Sequence, residues 1–173
     1  IYAERVSNMN IRDNNIKGFQ HGIYTLNLST CIINENDIDN TGRMGIYNSD
    51  SRNVSINCNI IRMKDFKPII GGGGFNNIGI NMQNGDATNR IFTNCIFDCR
   101  YSIYVRSTLV NAIPLIHNNY LYNYIVAGIR TANHTGSIGT AASPGKNTFV
   151  SNNRAGGAVD IFGSGGAVVE NCN

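Results

Sequence analysis

The sequence predicts an all-β solenoid, and three observations lead to that class. An apolar residue, two variable positions, an asparagine, a variable position and usually a second apolar residue recur as Ile11-Asn14-Ile16, Ile33-Asn36-Ile38, Ile56-Asn59-Ile61, Ile91-Asn94-Ile96 and Ile116-Asn119-Leu121, then as Phe149-Asn152 and Val168-Asn171. The asparagines step by 22, 23, 35, 25, 33 and 19 residues, the period of a chain whose turns stack on one another. A second motif runs in phase: Gly22-Ile23-Tyr24, Gly45-Ile46-Tyr47, Gly79-Ile80-Asn81, Ser102-Ile103-Tyr104, Gly128-Ile129-Arg130 and Asp160-Ile161-Phe162. Finally, Asn, Gly, Ser and Thr break the apolar pattern every six or so residues, which excludes long amphipathic helices.

Taken in order, each coil supplies two strands, one at the asparagine motif and one at the Gly-Ile motif. In five of six coils the Ile follows its asparagine by 9 or 10 residues, and in the third by 21. Alternation within the strands turns Ile33 and Ile38 inward, and likewise His21, Ile23 and Thr25. Equivalent residues of successive coils then lie ~4.8 Å apart. Ile11, Ile33, Ile56, Ile91, Ile116, Phe149 and Val168 are expected to stack in the lumen, beside a ladder of asparagine amides running from Asn14 to Asn152. About seven coils result, in one domain over residues 1–173, with loop insertions at about 64–77 and 131–146.

Composition narrows function by exclusion. The chain has no Trp, 14% charged residues and 19 Gly, so its exterior is coated with amides and hydroxyls that suit neutral, hydroxyl-rich ligands. The net charge of +3 is scattered, without a Lys/Arg block, which argues against nucleic acid or a membrane surface as partner. No apolar stretch is long enough to span a bilayer. The glycine run Gly71–Gly74 lacks the Lys-Ser/Thr of a phosphate cradle. Chain ends at Ile1 and inside a strand motif at Asn173 lead to the expectation of a fragment of a longer protein.

Five cysteines, Cys31, Cys58, Cys95, Cys99 and Cys172, occupy different positions relative to the asparagine and are odd in number. Free, mostly buried thiols are expected, with no metal site and no cofactor. Retained thiols favour folding in a reducing compartment.

Segments such as Gly45-Ile46-Tyr47-Asn48-Ser49, followed by Asn53-Val54-Ser55-Ile56-Asn57-Cys58-Asn59-Ile60-Ile61, resemble the repeat of right-handed single-stranded parallel β-helix proteins, the pectin-lyase-like superfamily. The resemblance covers residues 6 to 173. The polygalacturonase set of Asn-Thr-Asp, Asp-Asp, Gly-His-Gly and Arg-Ile-Lys does not occur in its proper order, nor does the calcium nonapeptide of the epimerases. The amide-rich coils, free cysteines and irregular loops are most similar to bacteriophage tailspikes and surface-polysaccharide depolymerases. That resemblance implies a bacterial surface polysaccharide as partner, a homotrimer, a virion-tail or extracellular location, and glycoside hydrolase or lyase activity. The alternative is a structural or adhesive β-solenoid without catalysis.

Glycoside chemistry needs carboxylates. Asp13 and Glu35 each precede a ladder asparagine in adjacent coils and are expected one rung apart, facing outward; Asp160 and Glu170 form a second candidate pair. An ordinary surface charge cluster is the competing reading, since Lys17, Asp39 and Arg62 form a neighbouring outward column. The residues after the strand Ile make another outward column: Tyr24, Tyr47, Asn81, Tyr104, Arg130 and Phe162. Its tyrosines can contact sugars or a second subunit. His21 is expected inside, and His117 and His134 on the surface.

Overall fold

The computed structural model describes residues 1–39, 42–63, 77–138, 145–150, 159–162 and 167–169. Strand β1 (Tyr2–Glu4) precedes five complete turns of three strands each. They are β2 to β4 (Asn10–Arg12, Asn15–Lys17, His21–Leu26), β5 to β7 (Ser29–Asn34, Asp37–Asp39, Met44–Ser49), β8 to β10 (Arg52–Asn57, Ile60–Arg62, Ile78–Gln83), β11 to β13 (Arg90–Phe92, Cys95–Phe97, Tyr101–Ala112) and β14 to β16 (Leu115–His117, Tyr120–Tyr122, Ala127–Ile138). Three strands follow, β17 (Thr148–Val150), β18 (Val159–Phe162) and β19 (Ala167–Val169).

Every described pairing between these strands is parallel and joins one turn to the next. The result is a prism of three sheets. Sheet A contains β1-β4-β7-β10-β13-β16-β18, sheet B contains β2-β5-β8-β11-β14, and sheet C contains β3-β6-β9-β12-β15-β17. The expected two strands per coil are therefore three, because the asparagine motif is a corner and not a strand. Its two apolar residues lie on different sheets, as Ile11 does on β2 and Ile16 on β3. The coils number about five complete turns instead of seven.

The corner has a local cause. Asp13, Glu35, Cys58, Thr93 and Asn118, each just before a ladder asparagine, all adopt φ between 53° and 57°. One left-handed residue swings the chain from sheet B to sheet C at a cost of roughly 1–2 kcal/mol for a residue with a side chain. The asparagine that follows offsets this. The Asn36 amide nitrogen donates to Asn59 Oδ1 at 2.9 Å, and to the carbonyls of Asn34 and Ile11. The same acceptor also receives the Asn36 backbone N–H at 3.1 Å. Asn14, Asn59, Asn94 and Asn119 repeat the side-chain link to the next rung.

The ladder runs from Asn14 through Asn119 to Asn147, and Asn152 is not its sixth rung. Phe149 accordingly pairs with Leu121 on sheet C and does not stack above Ile116. Asn147-Thr148-Phe149 matches the second half of the motif, Asn-x-apolar, which is the signal that identifies the rung when the first half is degenerate. Val168 lies opposite Ser137 of β16, away from the sheet B column.

Three isoleucine-rich columns fill the lumen: Ile11, Ile33, Ile56, Ile91 and Ile116 from sheet B; Ile16, Ile38, Ile61, Ile96 and Leu121 from sheet C; Ile23, Ile46, Ile80, Ile103 and Ile129 from sheet A. Branched side chains stacked rung on rung pack densely and suit the extended backbone. The glycine of the Gly-Ile motif is the second residue of its sheet A strand, just after the corner from sheet C. A Cβ on Gly45 would stand 2.5 Å from Ile61 Cγ2 and 2.7 Å from the Gly79 carbonyl oxygen, so β7 has no room for a side chain there, whereas the equivalent position of β13 holds the buried Ser102.

Alternation breaks just after that corner, which corrects the placement of His21. Both Gly22 and Ile23 are buried, while His21 is half-exposed and meets the Tyr24 ring edge-on at 5.2 Å. His134 is the reverse: expected on the surface, it is fully buried. Residues 131–138, expected as part of a loop insertion, extend β16, and β13 lengthens with it, with a register shift between Arg106 and Asn111. The insertion at 64–77 lies, apart from Asn77, outside the described residues.

Candidate functional site

Sheet A carries the column in the register expected, with Tyr24, Tyr47, Asn81, Tyr104, Arg130 and Phe162 as consecutive partners, and Tyr2 adds a rung before Tyr24. The rings, however, stack on each other. Tyr2 and Tyr24 lie 5.6 Å apart with planes inclined 11°, and Tyr24 and Tyr47 lie 4.5 Å apart at 15°. Both faces of Tyr24 are thereby covered, and it offers its edge and hydroxyl. Partial burial raises the Tyr47 phenol above its ordinary pKa.

Further up the same face the column closes over. Tyr104, expected to be exposed, is 3% accessible and packs with Met44, Ile78, Tyr101 and Ala127 in a second apolar cluster outside the lumen. Arg130 belongs to this cluster's edge: its guanidinium donates to the Tyr101 hydroxyl at 2.6 Å and lies 5.1 Å from the Tyr101 and Tyr104 ring centres. It holds two aromatic rings together, a cation–π contact that stabilises by about 0.5–2 kcal/mol.

At the β1 end of the face lies a shallow recess of ≈ 550 Å³ lined by Tyr2, Phe19, Gln20, His21, Tyr24 and Leu26, together with Ile1. Tyr2 and Phe19 are 62% and 61% exposed, the largest apolar surfaces described. Burial, and then the charge of Arg43, lower the His21 pKa below that of a free imidazole. The recess thus combines the exposed Phe19 ring and the face of Tyr2 turned from Tyr24 with an imidazole of lowered pKa and an amide.

Asp13 and Glu35 face outward on adjacent rungs, and Arg12 joins them. Its Nε donates to Asp13 Oδ2 and its Nη2 to Glu35 Oε2, both at 2.8 Å. Asp13 and then Glu35 raise the guanidinium pKa. All three side chains are about half exposed, a setting in which ion pairs contribute little to stability. The flanking column orders Lys17, Asp39 and Arg62 as read from the sequence, and Arg62 pairs with Asp37 at 2.6 Å. Asp160 is in β18, but its side chain lies outside the described residues, as does Glu170 altogether.

Sheet C presents an aromatic patch that the sequence reading missed. Phe97, Tyr120 and Tyr122 face outward around Leu121 with ring centres 6.0–6.4 Å apart. The alternating triplet Tyr120-Leu121-Tyr122 was its signal, visible once Leu121 is recognised as lumenal.

Cys31, Cys58, Cys95 and Cys99 are free, with only Cys31 and Cys99 buried; the expectation of mostly buried thiols fails for Cys58 and Cys95, which lie at the corner and on the outer face of sheet C. Burial, and next the neighbouring Asp98 charge, push the Cys99 thiol far above its ordinary pKa. Alkylation of the native protein at neutral pH is therefore expected at Cys58 and Cys95 and not at Cys31 or Cys99; peptide mass mapping of the modified thiols checks it.

The three-sheet prism and its asparagine corner define a parallel β-solenoid. The family model for a right handed beta helix region matches residues 1–173. The chain belongs to that family, which makes the solenoid right-handed. No curated protein and no solved structure matches the chain. Among the described residues, no helix is long and apolar enough to cross a membrane.

Proposed function

We propose that the chain is a polysaccharide-recognising β-helix whose outer wall binds a bacterial surface glycan. The observation that carries this reading is the recess on sheet A, where the exposed Tyr2 and Phe19 adjoin Gln20 and His21. Aromatic surfaces beside neutral hydrogen-bonding groups match a sugar ring, which has apolar C–H faces and a hydroxyl rim. Stacking falls to Tyr2 and Phe19, since the faces of Tyr24 are taken by its neighbours; Tyr24 supplies a hydroxyl. In this reading the protein works as a homotrimer on a virion tail or in another extracellular setting, and Asp13 and Glu35 are the carboxylates to test for glycoside cleavage.

The Arg12 bridge favours the alternative of a non-catalytic, adhesive solenoid, because both carboxylates already have a cationic partner. A panel of capsular and O-antigen polysaccharides separates the two. Phe19→Ala is expected to weaken binding about tenfold while leaving the fold intact, the effect of losing ~1.4 kcal/mol of stacking. Binding equal to the parent's rules out the recess. New reducing ends or an unsaturated product that vanish in Asp13→Asn and Glu35→Gln establish cleavage, and none in any sample establishes adhesion. Tyr47→Ala, followed by both binding and oligomer mass, reports whether the column is a subunit interface.

A further inference from the structure

We propose that a notch above Ser55 on the outer face of sheet B holds an acidic sugar unit of the polysaccharide, with the Arg90 guanidinium paired to its carboxylate. This rests on the glycan reading and narrows the ligand to a polymer containing uronate-like residues. Ile32, Ser55 and Arg90 are consecutive partners on β5, β8 and β11. The small serine between two long side chains leaves a gap of ≈ 320 Å³, walled also by Thr30, Cys31 and Asn53.

The lining is asymmetric in charge. Arg5, Arg12 and Arg62 each have a carboxylate partner, whereas Arg90 forms no ion pair among the described residues, and no acid lines the notch. A guanidinium in that state offers a two-pronged donor set matched to a carboxylate. The rest of the wall fits the sugar bearing it. Ser55 Oγ accepts from Asn57 Nδ2 at 2.9 Å, which leaves its own proton for a ligand oxygen. Asn53 gives its backbone N–H to Thr88 Oγ1 at 2.9 Å and its amide nitrogen to Thr30 Oγ1 at 3.4 Å, and its amide oxygen remains to accept a hydroxyl.

Apolar groups complete the fit and distinguish a sugar from a bare anion. Ile32, 44% exposed, forms one wall. Phe92, two residues after Arg90 and on the same face, stacks on His117 at 5.0 Å with planes 5° apart. The face of Phe92 turned from His117 looks toward the rung of Asn57, its partner on β8, beside the notch. One cation, a hydroxyl, an amide oxygen and two apolar surfaces on three consecutive rungs recognise a hexuronate better than phosphate or sulfate, which have no C–H face.

The test measures binding of polygalacturonate, alginate and hyaluronate, each against its carboxyl-reduced form, to the whole chain and to Arg90→Gln. Arg52→Gln, an exposed arginine outside the notch lining, is the control. The parent is expected to bind at least one acidic polymer more tightly than its reduced form. Arg90→Gln should remove that preference, leave reduced polymers unaffected and flatten the salt dependence, while Arg90→Lys restores part of the binding. Loss of the preference in Arg52→Gln to the same extent, or its persistence in Arg90→Gln, overturns the notch. Titration with sodium glucuronate should shift the Arg90 Nε and Ser55 amide resonances where methyl glucoside and sodium sulfate do not; an equal shift with sulfate overturns the sugar assignment. Neutral and reduced polymers that bind as well as acidic ones remove the notch alone, and failure of every polymer here and of the capsular and O-antigen panel removes the glycan reading with it.

Discussion

Asn59→Leu is expected to destabilise the protein by about 3–5 kcal/mol, because it leaves several buried polar groups without partners at roughly 1–3 kcal/mol each. Asn59 is fully buried. Its Oδ1 receives both the backbone N–H and the side-chain amide of Asn36, and its Nδ2 serves Ile33, Asn57 and Asn94. Leucine fills similar volume and satisfies none of these, so the loss is one of hydrogen bonding and not of packing. Urea unfolding compares it with Asn57→Ala, an outward asparagine whose side chain donates to Ser55 Oγ and to no other group among the described residues, for which less than ~1 kcal/mol is expected. Equal midpoints for parent and Asn59→Leu would show that the ladder carries no stability.

Ile56→Ala should cost about 2–5 kcal/mol, through lost burial and a cavity that the flanking rungs cannot close. Ile56 is completely buried between Ile33 and Ile91, and the parallel ladders above and below hold those neighbours at one-rung spacing. Ile32→Ala on the neighbouring strand β5, where the side chain is 44% exposed, is the matched control and should cost less than about 1 kcal/mol. If the two variants unfold together, the inward face of β5 and β8 is misassigned. A surface acid such as Asp50 makes a poorer control than its position implies: its φ is 54°, and it accepts hydrogen bonds from Ser49 and Asn84. Alanine there would add left-handed strain to the loss of both contacts.

The repeat, the lumenal isoleucines and the asparagine ladder were legible because stacking forces the same environment on equivalent residues of every turn. A buried corner that accepts an N–H and donates to carbonyls selects asparagine each time, so the sequence displays the corner as a period. The sixth rung escaped because Asn147 keeps only the second half of the motif. His21 was misplaced for a related reason, since alternation counts faces along a regular strand and β4 buries Gly22 and Ile23 in succession.

Candidate sites were legible only as columns. Register alone aligned Tyr24 with Tyr47 and Asp13 with Glu35, and the one-rung spacing then follows from parallel pairing. What a column does depends on side chains packed from elsewhere. Arg12 ties up the two carboxylates, the tyrosine rings cover each other's faces, and Tyr104 is buried in a cluster with residues from four strands of sheet A.

The sequence by itself determined the solenoid, its lumenal isoleucines and the ladder through five rungs, since those follow from contacts that repeat every turn. The number of sheets, the buried half of sheet A, the recess at Phe19 and the notch at Ser55 were decided only in the tertiary structure. Each arises where neighbouring rungs carry unlike side chains, and a gap between a large residue and a small one leaves no periodic mark in the chain.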